Sequence, residues 1–405
     1  MKLNEFKGSR LRAARNYRGM SPDALASKSG INKKDIQAFE EEKYFPTLEN
    51  SMLLAGTLEF PREFFYTSDI YNVGIEWIHF DSKSKSPKNI EISNREKLVM
   101  INRIYNFMRK YLMLPDKSIN FKDMGEVTDI EKIAEWIREK TDVDDRPILD
   151  MTGFMEKEGF VITDMNVFEK YATPISQKQI SKTYDIYGQE KESKKTVFFI
   201  SLGGDGNIAS ERNMSLAGEL GAVAANELGI SMKNFDTSEF AMAFLLPENM
   251  MRDRLKNSNE IDEYLSIASE WIVPVYAVVT RAFSLGIISY RKYIFLMEEI
   301  EKRKWSEKDP VSVIIARPPY ILREGMNMLL KEVFTPETII EALESDNIYI
   351  YPNEIEKIMG LDPGKLGSSK SKVVNINKFR DKQMNKTSEK NKRKSEKKNK
   401  KGKRK

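Results

Sequence analysis

Apolar residues along the first 65 positions recur at helical spacing in short blocks divided by turn residues. Leu11 and Ala14 share one face of a first helix, with Arg10, Arg12, Arg15 and Arg18 around the others. Ser21 suits the cap and Pro22 the first turn of a second helix carrying Leu25 and Ala26, and Gly30 supplies the turn after it. Asn32 caps a third helix with Asp35 at the capping-box position; this helix buries Ile36 and Phe39 and turns Lys33, Lys34 and Gln37 outward. Pro46 stops the chain, a fourth helix is expected to point Leu48, Met52, Leu53 and Leu58 inward, and Pro61 starts a short fifth helix.

Beyond a polar break at 81–89, Leu98, Ile101, Ile104, Tyr105 and Met108 mark a long amphipathic helix. Residues 131–250 then alternate: IEKIAEWIREK reads as helix, FVITD and TVFFISL as strands, and MSLAGELGAVAANELG as helix again. From 251 to about 365 the pattern is helical throughout. After 367 only Lys, Asn, Ser and Glu dominate, too polar to bury, so a disordered tail is expected. The predicted fold is mostly α: a five-helix unit at 1–68, a helical connecting region at 69–130, an α+β domain at 131–250, its helical C-terminal part at 251–366, and a basic tail at 367–405.

Composition narrows the chemistry. Of 405 residues none is cysteine and His79 is the one histidine, so disulfides and thiolate metal sites are excluded and an imidazole zinc site lacks its donors. His79 itself reads as a packed or a surface residue. The first 16 residues carry charges throughout, unlike a secretory signal, and no segment reaches the roughly 20 apolar residues that span a bilayer; a cytoplasmic protein without membrane contact is expected. The tail from 378 to 405 holds 15 Lys and Arg against 3 Asp and Glu, a surplus of 12. The whole chain is only +5, so residues 1–377 carry a net −7. Such a tail attracts polyanions without reading them, and nucleic-acid contact by the acidic body is confined to patches.

The segment RLRAARNYRGMSPDALASKSGINKKDIQAFEEEKYFPTLE (10–49) resembles the XRE helix-turn-helix family, relatives of Cro and lambda repressor. The resemblance implies that the third helix lies in the major groove of duplex DNA, with Lys33, Lys34 and Gln37 at base edges and Asn32, Arg15, Lys28 and Lys43 on the backbone. Two features depart from that pattern. Pro22 stands where the family carries Gln, and Glu40, Glu41 and Glu42 oppose phosphate.

A second resemblance covers most of 75–350. The segment 145–162, the strand TVFFISL, the helix ERNMSLAGELGAVAAN, the segment SEFAMAFLLPENM and the helical stretch that follows look, in that order, like the ImmA/IrrE metallopeptidase family. In that family the helix carries HExxH, two imidazoles holding zinc and a general-base Glu. Here the five positions are Gly218, Glu219, Leu220, Gly221 and Ala222. Only Glu219 is left, as a relic in a cleft or as a helix residue with a polar partner. Asp236 or Glu239 stands where a third ligand is implied, and Ser215 lacks a nearby histidine to activate it. A catalytically inactive domain without cofactor is therefore expected.

Together the two resemblances imply a sequence-specific DNA-binding regulator, expected as a homodimer, whose peptidase-like domain senses or binds a repressor or another protein. Two alternatives stay open: an active metallo-endopeptidase with unusual ligands that acts on a repressor, and an interaction protein of mobile-element or antitoxin type.

Overall fold

The computed structural model describes residues 5–67, 71–80, 87–165, 173–184, 190–203 and 207–367. The basic tail lies outside the described residues. The fold is mostly helical with one small mixed sheet.

The opening helices follow the turn chemistry. They are α1 (Gly8–Tyr17), α2 (Pro22–Ser29), α3 (Lys33–Glu40) and α4 (Leu48–Leu58), then a 3-10 turn at Arg62–Tyr66. Ser21 Oγ accepts from Ala24 N at 3.1 Å and Asn32 Oδ1 from Lys34 N at 2.9 Å, satisfying amide groups that a helix start leaves unpaired. Gly30 ends α2 at φ 73°, a left-handed position that costs glycine little. Leu11, Leu25, Ile36 and Phe39 are buried as the pattern predicts. The phase of α4 is different. Ser51, Leu54, Ala55 and Leu58 face inward, while Leu48, Met52 and Leu53 are exposed. The small residues Ser51 and Ala55 occupy the buried side of α4, which packs against α2 and the 3-10 turn.

Residues 71–80, within the stretch expected to be a helical connection, instead form strand β1 (Tyr71–Phe80). Next come α5 (Lys88–Met108), α6 (Ile130–Lys140), α7 (Met151–Lys157), β2 (Val161–Thr163), β3 (Ile175–Tyr184), β4 (Glu190–Ser201) and α8 (Ala209–Glu227). The sheet order is β1-β3-β4-β2, with β2 parallel to β4 and the other pairs antiparallel. The remainder is helical: α9 (Thr237–Leu245), α10 (Glu248–Leu255), α11 (Ile261–Trp271), α12 (Val275–Ser284), α13 (Tyr290–Lys302), α14 (Ile321–Glu332), α15 (Pro336–Ser345) and α16 (Pro352–Met359).

Strand β4 explains how these pieces join. Phe198 and Ile200 point into one hydrophobic core with Leu216 and Leu220 of α8, whereas Val197 and Phe199 point into another with Ile101 and Tyr105 of α5. This alternation is the period-2 pattern of a strand buried on both faces. The first core takes in α6–α13. The second takes in α1–α4, α5 and α14–α16, so residues 251–366 divide between the two cores. Each fully buried Leu or Phe in them contributes about 1.5–3 kcal/mol.

On the α5 side the sheet also carries a buried polar chain. Asn106 donates to Asn102 at 2.8 Å, Asn102 to Gln179 at 2.8 Å, and Gln179 to Gln177 at 2.8 Å. Such a satisfied network fixes β3 against α5, because a slip would strand buried amides.

Candidate functional site

Helix α8 lies against the sheet on the side opposite α5. Ser176, on β3, points toward α8, while the neighbouring Gln177 points toward α5, again by strand alternation. Glu219, 4% exposed, meets two partners from the sheet. His79 Nδ1 of β1 lies 3.1 Å from its Oε2, and Ser176 Oγ donates to the same oxygen. Trp77, two residues along β1, stacks on the His79 ring with centroids 5.9 Å apart and planes 7° apart. The imidazole is thus held by the carboxylate and by the indole face.

The pair lies at a cleft of about 420 Å³ whose wall includes Ser215, Gly218, Thr237, Met242 and Tyr276. A Cβ on Gly218 would meet Thr237 at ordinary contact distance, its carbonyl oxygen at 3.6 Å and its Cβ at 3.9 Å. One turn on, a Cβ on Gly221 would lie 2.5 Å from Phe240, so α9 is seated directly on the α8 backbone there. Ala222 is fully buried. The space is therefore open at Gly218 and filled at Ala222, the two positions at which the resemblance led imidazole ligands to be expected.

These donors do not fit zinc. His79 and Glu219 bond one another, and among the described residues no group of three His, Cys, Asp or Glu side chains is arranged around a common point. Asp236 is occupied as the α9 cap, accepting from Ser238 N at 2.8 Å and Glu239 N at 3.1 Å, and Glu239 is exposed. A structural zinc site takes four ligands and a catalytic one at least three from the protein.

A larger cavity of about 550 Å³ lies between α6 and α10, lined by Glu131, Glu135, Arg138 and Asp145. The Arg138 guanidinium there is spent on the carbonyls of Asp144, Phe244 and Arg146. That cavity is separate from Glu219.

At the N-terminal face, Asn32, Lys33, Lys34, Gln37, Lys28 and Lys43 are all exposed. Lys33 Nζ lies 2.8 Å from Asp23, and Lys43 Nζ lies 2.6 Å from Glu41, whose carboxyl it holds below its ordinary range. Arg15 corrects the expectation made for it. Its Nε donates to Glu40 Oε1 at 2.6 Å, its Nη2 to Glu40 Oε2 at 3.0 Å, and its Nη1 to the Met20 carbonyl at 2.8 Å. It is buried as the tie between α1 and α3, so it does not reach out to a phosphate. The same tie disposes of Glu40 as an obstacle. Glu42 accepts from Gly8 N at 2.8 Å, which leaves Glu41 as the exposed acid of the three without a backbone or core partner.

His79 is the site residue that sequence reasoning passes over. EWIHF at strand spacing sets Trp77 and His79 on one face. Nothing local brings them to Glu219, 140 residues away. The chain matches no protein-family model, no curated protein and no solved structure.

Proposed function

We propose that the chain is a sequence-specific DNA-binding regulator, with α3 entering the major groove of duplex DNA. The observation that carries this reading is the α2–Gly30–α3 arrangement, whose outward face presents Lys33, Lys34 and Gln37 together. Asn32 and Lys28 flank that face as backbone contacts, and Lys43 stands at its far end. Internal pairing of Glu40 and Glu42 takes two carboxylates away from the approaching phosphates.

Kinship to XRE regulators and to ImmA/IrrE metallopeptidases remains part of the proposal, resting on the quoted segments. The strand-and-helix unit around α8 acts in it as a sensor or protein-binding domain without zinc chemistry, since the metal ligands are replaced. Pairing of two copies suits a two-half-site operator, and the apolar Leu48, Met52 and Leu53 that α4 leaves in solvent support it. The tail supplies unspecific attraction to polyanions.

Genome-wide mapping of the tagged chain tests the reading, with Lys33→Ala/Gln37→Ala as control. Discrete sites lost in the double variant are expected. Sites that persist unchanged in it would move the DNA face elsewhere.

A further inference from the structure

A cavity of about 500 Å³ adjoins the Glu219 cleft, bounded by α12, the end of α13 and the 3-10 turn Pro310–Val313. Glu211 and Tyr276 border both spaces. The apolar part of its wall is aromatic and thioether, from Tyr276, Met297 and Trp305. The end of α13 fixes the indole. Lys304 takes a left-handed φ of 56°, and Trp305 N donates to the Ile300 carbonyl at 2.9 Å, which closes the helix.

The polar part of the wall is acidic. Glu211, Glu301, Glu307 and Asp309 stand there against one cation, Lys308. Partial burial, then the charges of Glu211 and Asp309, push the Tyr276 phenol up to about 12, so its ring stays neutral. Two aromatic rings and several carboxylates around one space complement a cation, and the apolar wall complements the alkyl arm that carries it. Within the fold the indole already attracts one such group. The Arg303 guanidinium lies 4.9 Å from its centroid and pairs with Asp262, outside the cavity wall.

We propose that this cavity receives a lysine or arginine side chain of a partner protein. The choice of a protein over a free amine comes from the neighbouring surface. Ser312 lines the cavity, and Val313 and Ile315, just beyond it, are 73% and 71% exposed. Ile315 is held by an antiparallel bridge to Ile208, another wall residue, with Ala209 N donating to the Ile314 carbonyl at 2.9 Å. The two apolar side chains therefore keep a fixed place beside the cavity. Chain on either side of a bound basic residue would cover them, and a small amine would not. This inference rests on the protein-binding reading of the α8 unit and is independent of DNA binding by α3.

The test is calorimetric titration of the full chain at low salt. The probes are a blocked pentapeptide with lysine at its centre and leucine on either side, its arginine and norleucine counterparts, and n-butylammonium. The lysine and arginine peptides are expected to bind about tenfold or more tightly than the norleucine peptide, whose arm lacks the charge, and to weaken as salt is added. Trp305→Leu should weaken both by about tenfold. Glu301→Gln/Glu307→Gln changes only exposed side chains, so it should weaken them by a similar factor at an unchanged melting temperature. Val313→Ser/Ile315→Ser should weaken the peptides and leave n-butylammonium unaffected. Butylammonium as tight as the lysine peptide would make the ligand a free amine and overturn the docking of a protein, leaving the reading of α3 untouched. No binding of either basic peptide, equal binding of the norleucine peptide, or undiminished binding by the double glutamine variant would overturn the cation site itself.

Discussion

Tyr17 donates its hydroxyl to Glu354 Oε1 at 2.9 Å, joining two helices 337 residues apart in sequence. Arg18 completes the contact with Nη1 at 3.0 Å from Glu354 Oε2. Burial raises the Glu354 carboxyl, but the Arg18 charge and the bonds from Arg18 and Tyr17 outweigh it, so the net shift is downward. A carboxyl held low in the fold contributes stability above its unfolded pKa and loses it as pH falls through the folded value. Glu354→Gln should lower stability by about 1–3 kcal/mol at neutral pH. In denaturant titrations the gap to wild type should close in acid. A gap that stays constant down to pH 2 would remove the ionised pair from the account.

Glu156 gives the opposite slope. It is buried on α7 and accepts from Tyr320 N and Ile321 N at 3.0 Å, yet burial prevails and pushes its carboxyl up to about 7 from an ordinary 4.5. Over that window the fold keeps a proton that the unfolded chain has released, so stability falls as pH rises from about 4.5 to about 7 and is level above. Glu156→Gln, which cannot titrate, should flatten that part of the curve of melting temperature against pH. A slope between pH 5 and 7 identical to that of wild type would assign it to other groups.

Arg281 is 1% exposed, donating Nε to the Leu246 carbonyl at 2.9 Å and Nη2 to Glu131 at 2.7 Å. Arg281→Met should cost about 2–4 kcal/mol, since it orphans a buried carbonyl as well as the carboxylate. Glu131→Gln should cost less, about 1 kcal/mol, because Glu131 is partly exposed and its amide still accepts. Chemical denaturation of the two variants gives the order, and a reversed order would refute it.

At the N-terminal face, Gln37→Ala should weaken the proposed operator by about 1–3 kcal/mol without changing the circular dichroism, because the side chain lies outside the core. Arg15→Ala should instead lower the melting temperature, since it breaks the buried tie to Glu40. Cutting the chain after 367 removes the basic tail and should reduce the slope of log affinity against log salt on random DNA while operator preference survives. Loss of that preference with random binding intact would assign sequence reading to the tail.

For metal, the purified chain should hold well under one equivalent of zinc, and chelator should leave its melting temperature unchanged. Elemental analysis finding one equivalent, removed together with stability, would restore a metal site.

Local chemistry was readable where it acts locally. Ser21, Gly30 and Asn32 mark their helix ends because capping and left-handed backbone are properties of a few adjacent residues. TVFFISL was readable as a strand, but its run of apolar residues does not say that two cores share it. The α4 phase went astray because Leu48, Met52 and Leu53 fit a helical stripe as well as Ser51, Leu54 and Ala55 do, and size alone favoured the wrong face. The site was legible by half. Glu219 follows from the helix segment, but its partner depends on an edge strand whose place beside α8 is set by pairing with β3, a contact without a local signal.

The second core joins α1–α4 to α14–α16, and this bears on the order of synthesis. α1–α4 are made before α16, and Glu354, the partner of Tyr17 and Arg18, follows them only after more than 300 further residues. Until then the apolar floor beneath α1 and α5 lacks Ile355 and Ile358. An interrupted chain therefore carries the outward face of α3 on an unfinished base. Seating of α1 on its full set of contacts therefore waits for α16 to be made.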